Sequence, residues 1–135
     1  MVNYIMRIAN NDEFEASVFS RRAYYTSMRR RWEKGMKILL ARKIEGKGDA
    51  FIGYAIVDRA LSVDELSIEE REMCIRNGWS TKVLFSRLIR LQPPILIKDT
   101  PVGRWPQKGA LLHGAPISDG DLNTIIEFAS IKINY

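Results

Sequence analysis

The chain has 135 residues, 46% of them hydrophobic, and a formal net charge of +5. That length fits one domain over residues 1–135 with enough apolar material for a core, and no apolar run approaches the roughly 20 residues a membrane helix needs. One cysteine, Cys74, excludes an internal disulfide and a cysteine-cluster zinc site, and no charged-then-apolar leader opens the chain, so a soluble cytoplasmic protein without a metal or cofactor is expected.

Asn3–Ile8 predicts a short first strand. Asn10-Asn11-Asp12 predicts a turn and a helix N-cap, because short polar side chains accept the free N–H groups of a first turn. A helix over Asp12–Ser20 follows, with Phe14 and Val18 one turn apart and Glu13 and Glu15 at the end where the helix dipole favours acids. Ala23–Thr26 reads as a brief edge strand, and Met28–Lys34 as one helical turn that Gly35 stops. Met36–Lys43 and Ala50–Ala60 form a hairpin across the glycine turn Glu45–Asp49, with Ile38–Ala41 buried on both faces. Ser62–Asn77 is helical in two pieces, started by Ser62 and Ser67 and ended at Gly78, which supplies a left-handed cap. Trp79–Leu91 reads as a long strand that Pro93-Pro94 breaks, since neither proline can donate to a ladder. Ile95–Lys98 is extended, Asp99–Lys108 irregular, and Gly109–His113 a short strand. Ser118–Ala129 is the closing helix, with Leu122, Ile125, Ile126 and Ala129 on one face, and Ile131–Tyr135 a last strand. Many short strands with few long helices predict an α+β fold, a mixed β-barrel whose ends the helices plug.

Charge is unevenly spread. From Arg21 to Gly48 ten lysines and arginines face only Glu33 and Glu45, whereas between Asp58 and Glu72 six acids outnumber Arg59 and Arg71. A basic face, suited to a polyanion, is the expectation.

Four stretches carry a likeness to a known family. Trp32-Glu33-Lys34-Gly35-Met36-Lys37-Ile38-Leu39-Leu40 brings a glycine to the entry of a central strand, and Gly53-Tyr54-Ala55-Ile56-Val57 follows as its partner. Trp79–Phe85 runs on to Leu91-Gln92-Pro93-Pro94-Ile95, and Gly109–Ser118 reaches Pro116-Ile117-Ser118 just before an acidic helix. In this order, over roughly residues 20–129, the chain resembles the PUA-like superfamily, and within it the EVE and ASCH domains and related small archaeal families. Met36 stands where EVE and ASCH sequences commonly carry an acid. The resemblance implies a pseudobarrel that binds RNA or a modified nucleotide in a basic cleft, lined by aromatics in several branches. Some ASCH-like proteins are implied to be hydrolases, an activity that fold alone does not establish.

Arg29, Arg30, Arg31, Trp32 and Lys34 are the leading binding candidates, because guanidinium groups pair with phosphate bidentately and an indole stacks on an unpaired base. Arg104, Trp105 and Lys108 would form an opposing wall, and Tyr25 and Trp79, with Tyr24 beside them, an aromatic pocket. For each of these aromatics taken alone core packing is the better explanation, except for Trp105, whose irregular basic loop makes a core role less automatic. His113, the only histidine, would line the floor, as the resemblance to the EVE closing motif implies. In the rival hydrolase reading His113 would act with Glu33 or Asp99; the plainer reading is a satisfied, partly buried histidine. Asp119 and Asp121 read as first-turn helix charges and Cys74 as a buried, inert thiol. A third reading is a protein-interaction module, with a homodimer as its simplest form.

Overall fold

The computed structural model describes residues 1–135. Strand β1 (Asn3–Arg7), helix α1 (Asp12–Arg21) and strand β2 (Ala23–Thr26) are followed by β3 (Lys37–Ile44), β4 (Gly48–Ser62), α2 (Ile68–Asn77), β5 (Thr81–Leu96), β6 (Pro116–Ile117), α3 (Asp119–Glu127) and β7 (Ile131–Asn134). All strands join one sheet in the order β2-β5-β4-β3-β1-β6, with β7 also pairing with β5. β1 and β3 are parallel and the other pairs antiparallel. The predicted α+β architecture holds, but the sheet is not closed: its path ends at β2 on one side and β6 on the other.

The helices start where the caps predicted. The side chains of Asn11, Ser67 and Ser118 accept the N–H groups of Phe14, Glu70 and Asp121, and Gly78 ends α2 in the left-handed region. The β3–β4 hairpin forms, and its central residues divide between two cores by strand alternation. Leu39 and Ala41 join Ile5, Phe51, Leu91, Leu112 and the inner face of α3 in a first core. Ile38 and Leu40 join Met6, Phe19, Ile52, Phe85 and Leu88 in a second core, on which α1 lies. A third, smaller cluster of Tyr25, Leu66 and Cys74 seats α2, with Cys74 wholly buried. Register shifts at Phe51/Gly53, Ile56/Val57 and Val57/Arg59 place bulges along the β4–β5 ladder, the first two on β5 and the third on β4, which bend the sheet between the two cores.

Three local expectations are corrected. Pro93-Pro94 does not end β5, which continues to Leu96. The pairing jumps from Gly53–Arg90 to Phe51–Ile95, so the prolines sit in a bulge where no ladder bond is required of them. Met28–Lys34 is not a helical turn but an irregular strap; Thr26 Oγ1 takes the Met28 N–H, and Gly35 at φ +88° turns the chain into β3. Gly109–Leu112 is a 3-10 turn rather than a strand, and the strand beyond it is Pro116–Ile117. No helix is long and apolar enough to cross a membrane.

Candidate nucleic-acid interface

Arg7 ties the end of β1 to two other parts of the chain. It ends β1 on the same face as the core residue Ile5, where the first core gives way to solvent. Its Nη2 pairs with Asp49 Oδ1 at 2.9 Å, and its backbone N–H donates to His113 Nδ1 at 2.9 Å. With Nδ1 accepting, the neutral ring carries its proton on Nε2, which has no protein partner and is not buried. Burial, and then the neighbouring Arg7 and Arg30 guanidinium groups, hold His113 below the ordinary histidine pKa.

Arg30 arrives from the strap. Its guanidinium lies 3.7 Å from the centroid of the Tyr4 ring, and Nη2 donates to Gly114 O at 3.2 Å. Gly114 is required for that approach: its φ is +79°, and a Cβ there would stand 2.7 Å from Met28 Cε and 3.2 Å from Arg30 Nη2. On the other side of Arg7, Lys47, Asp49, Lys98 and Lys108 rim a cleft of about 210 Å³ floored by Ile97 and Leu112. Asp49 Oδ2 has no partner, and the Lys108 ammonium donates to the Gly103 carbonyl. Lys98 also lines a neighbouring hollow of about 320 Å³ with Arg104. Arg30, His113 and Arg7 adjoin through these contacts, and Arg7 reaches the lysine cleft through Asp49. Lys98 joins that cleft to Arg104, which gives a track of cations interrupted by the Asp49 and Asp99 carboxylates.

Among the residues the sequence singles out, Arg30, His113, Lys108 and Arg104 fall on this track. Arg29 and Lys34 are exposed on the strap, and Arg31 is exposed beside Glu33 at 3.6 Å. The aromatics do not share one wall. Trp32 packs on the second core, Trp105 on the first, and Trp79 on the third cluster.

Tyr25 and Trp79 do stack on each other, at 5.3 Å between centroids, but as the seat of α2. Tyr25 Oη and Lys82 Nζ both donate to Glu70 Oε2 at 2.6 Å, and Lys82, then Tyr25, hold the Glu70 carboxyl below its usual range. These polar tips are satisfied by one another, which suits a packed joint. Tyr24 is buried, donates to Arg7 O at 3.0 Å, and has its phenol pushed up to about 12 by burial.

Arg7, Lys47, Asp49 and Lys98 escaped sequence reasoning. Arg7 is a lone cation ending an apolar strand, and Lys47-Gly48-Asp49 reads as a plain turn; only the register of β1, β3 and β4 brings Arg7 to Asp49. A second charged cluster was equally invisible. Glu15 of α1 accepts from Arg42 of β3 through Oε1 and from Arg90 of β5 through Oε2, both at 2.9 Å. Arg42 also pairs with Asp12, and Arg90 lies 3.8 Å from the Phe19 ring centroid, so these cations are spent on anchoring α1.

No protein-family profile matches the chain, and no curated protein matches it. Three solved structures share its fold, all of the ASCH protein from Zymomonas mobilis. The parent structure has a TM-score of 0.66 at 12% identity and covers 95% of this chain and 96% of its own. Its tyrosine-to-phenylalanine and serine-to-alanine variants give TM-scores of 0.64 and 0.65, each at 12% identity and 95% coverage of this chain. At that identity the likeness shows the fold alone, the fold of that ASCH protein, in keeping with the sequence resemblance.

Proposed function

We propose that this ASCH-like domain binds single-stranded RNA, with the strand's phosphates laid along the track from Arg30 through His113 and the lysine cleft to Arg104. The observation that carries this reading is the convergence on Arg7, which fixes both His113 and Asp49 and sets a free Nε2–H donor beside several unspent cations. Cations already committed to carboxylates, such as Arg42 and Arg90, offer a phosphate little, whereas the Lys47 and Lys98 ammonium groups pair with no carboxylate. Asp49, paired with Arg7 through one oxygen, offers its other oxygen to a donor on a base edge. The ASCH-like fold raises the expectation without proving it.

Equilibrium binding of an unstructured RNA across salt concentrations tests the reading. Each phosphate contact contributes a slope of about −0.7 in log K against log salt for single strands. Lys47→Ala and Lys98→Ala should each weaken binding and make that slope shallower by about one contact. A flat salt response in the unaltered chain, or slopes unchanged in both variants, would remove the proposal. The hydrolase alternative gains no support from the geometry, since His113 receives an arginine N–H and no carboxylate bonds to it.

A further inference from the structure

The track so far supplies phosphate contacts and no base contact, because all three tryptophans are taken up by the clusters. One aromatic is differently placed. Phe128 caps the C-terminal end of α3 and is 50% exposed, although Leu122 and Ile125 of the same helix are fully buried. The ring lines the hollow that Lys98 and Arg104 border, and also a second hollow of about 440 Å³ edged by Pro93 and Pro94. Lys98 links the first of these to the lysine cleft.

We propose that Phe128 is a stacking platform for an unpaired nucleobase, with the adjoining phosphates held by Lys98 and Arg104. This rests on the RNA-binding reading above and adds the base site that it lacks. An exposed ring gives every base a π-face to cover, and the cations beside it match the charge of the chain that delivers the base. Asp99, the carboxylate in the same hollow, suits an amino group on a base edge and keeps phosphate to the cationic rim. The flanking prolines present apolar, donor-free surface, so a base covering the ring strips few hydrogen bonds from the protein.

The test is RNA binding by the full chain, with Phe128→Ala, Phe128→Leu and Phe128→Tyr beside Lys98→Ala. Loss of one stacked base predicts a fall of about 5- to 150-fold for Phe128→Ala, a similar fall for Phe128→Leu, and near-complete recovery in Phe128→Tyr. The salt slope of Phe128→Ala should equal that of the unaltered chain, because no phosphate contact is lost, whereas Lys98→Ala should show a shallower one. Full affinity in Phe128→Ala or Phe128→Leu, with RNA bound normally by the unaltered chain, overturns the stacking assignment and leaves the phosphate track standing. A unaltered chain that binds no RNA removes both. Unchanged affinity together with a lower sedimentation mass in Phe128→Ala assigns the ring to a contact between copies and overturns the proposal.

Discussion

His113 shows how much one side chain depends on its neighbours. Its Nδ1 accepts the Arg7 N–H only while the ring is neutral, and burial with two arginines keeps it so. The folded state binds that proton less readily than the unfolded chain does. Stability from this residue is therefore fully present above the unfolded pKa near 6.5 and is lost as pH falls through the lowered folded value. An NMR titration should find the His113 midpoint below 6.5, and the acid loss of stability should shrink in His113→Ala; a midpoint at or above 6.5 would contradict the account. Gly114 yields a second expectation. An alanine there would take up a left-handed conformation at roughly 1–2 kcal/mol and push against Met28 and Arg30. Gly114→Ala should lower the urea midpoint and weaken RNA binding, and a variant that does neither would show that the Arg30–Gly114 contact is dispensable. The residue types of Arg30, Lys108 and His113 were open to reading in the sequence, since cations near turns announce themselves. The part played by Arg7 and Asp49 was not, because it exists only once β1 lies beside β3 and β3 beside β4.

At the level of elements, local chemistry foretold most of what formed. Asn11, Ser67, Ser118 and Gly78 act through backbone groups within a few residues, so the helix ends were readable from short stretches. The strap and the prolines were misread for the opposite reason. Arg29–Lys34 has helix-compatible residues, but Trp32 is drawn onto the second core and Arg30 onto Tyr4 and Gly114, and these long-range contacts outweigh propensity. Pro93 and Pro94 survive within β5 because four residues, Leu91–Pro94, stand opposite Ile52 alone. Helix α1 depends on a close approach at Gly53, where a Cβ would lie 2.9 Å from Phe19 Cζ and 3.3 Å from Ile89 O. Gly53→Ala should cost about 1–3 kcal/mol through overpacking of the second core. Urea unfolding should show a lower midpoint at an unchanged slope; an unaltered midpoint would mean that α1 can lift away freely.

For the molecule as a whole, placement of charge matters more than its sum. The acidic stretch predicted around Asp58–Glu72 largely ends up on β4 and α2, and α2 holds none of the track's residues. Replacing the exposed Glu69 and Glu72 by lysine raises the net charge by two units each without touching the track. If a defined track binds RNA, Glu69→Lys/Glu72→Lys should leave the salt slope unchanged; a slope that steepens by the equivalent of new phosphate contacts would mean that RNA adheres wherever the surface is cationic. The α+β architecture was recognisable from strand order and the glycine entries and its failure to close was not, and a flat string of residues could not reveal which cations would be neutralised by Glu15. That carboxylate has its own consequence. It grips Arg42 on β3 and Arg90 on β5, two strands separated by β4, so α1 is riveted across three strands at once. The dehydration cost of charged groups falls on heating while apolar stabilisation levels off. On a slow temperature ramp α1 should therefore hold its place after the more simply packed α3 has begun to fray.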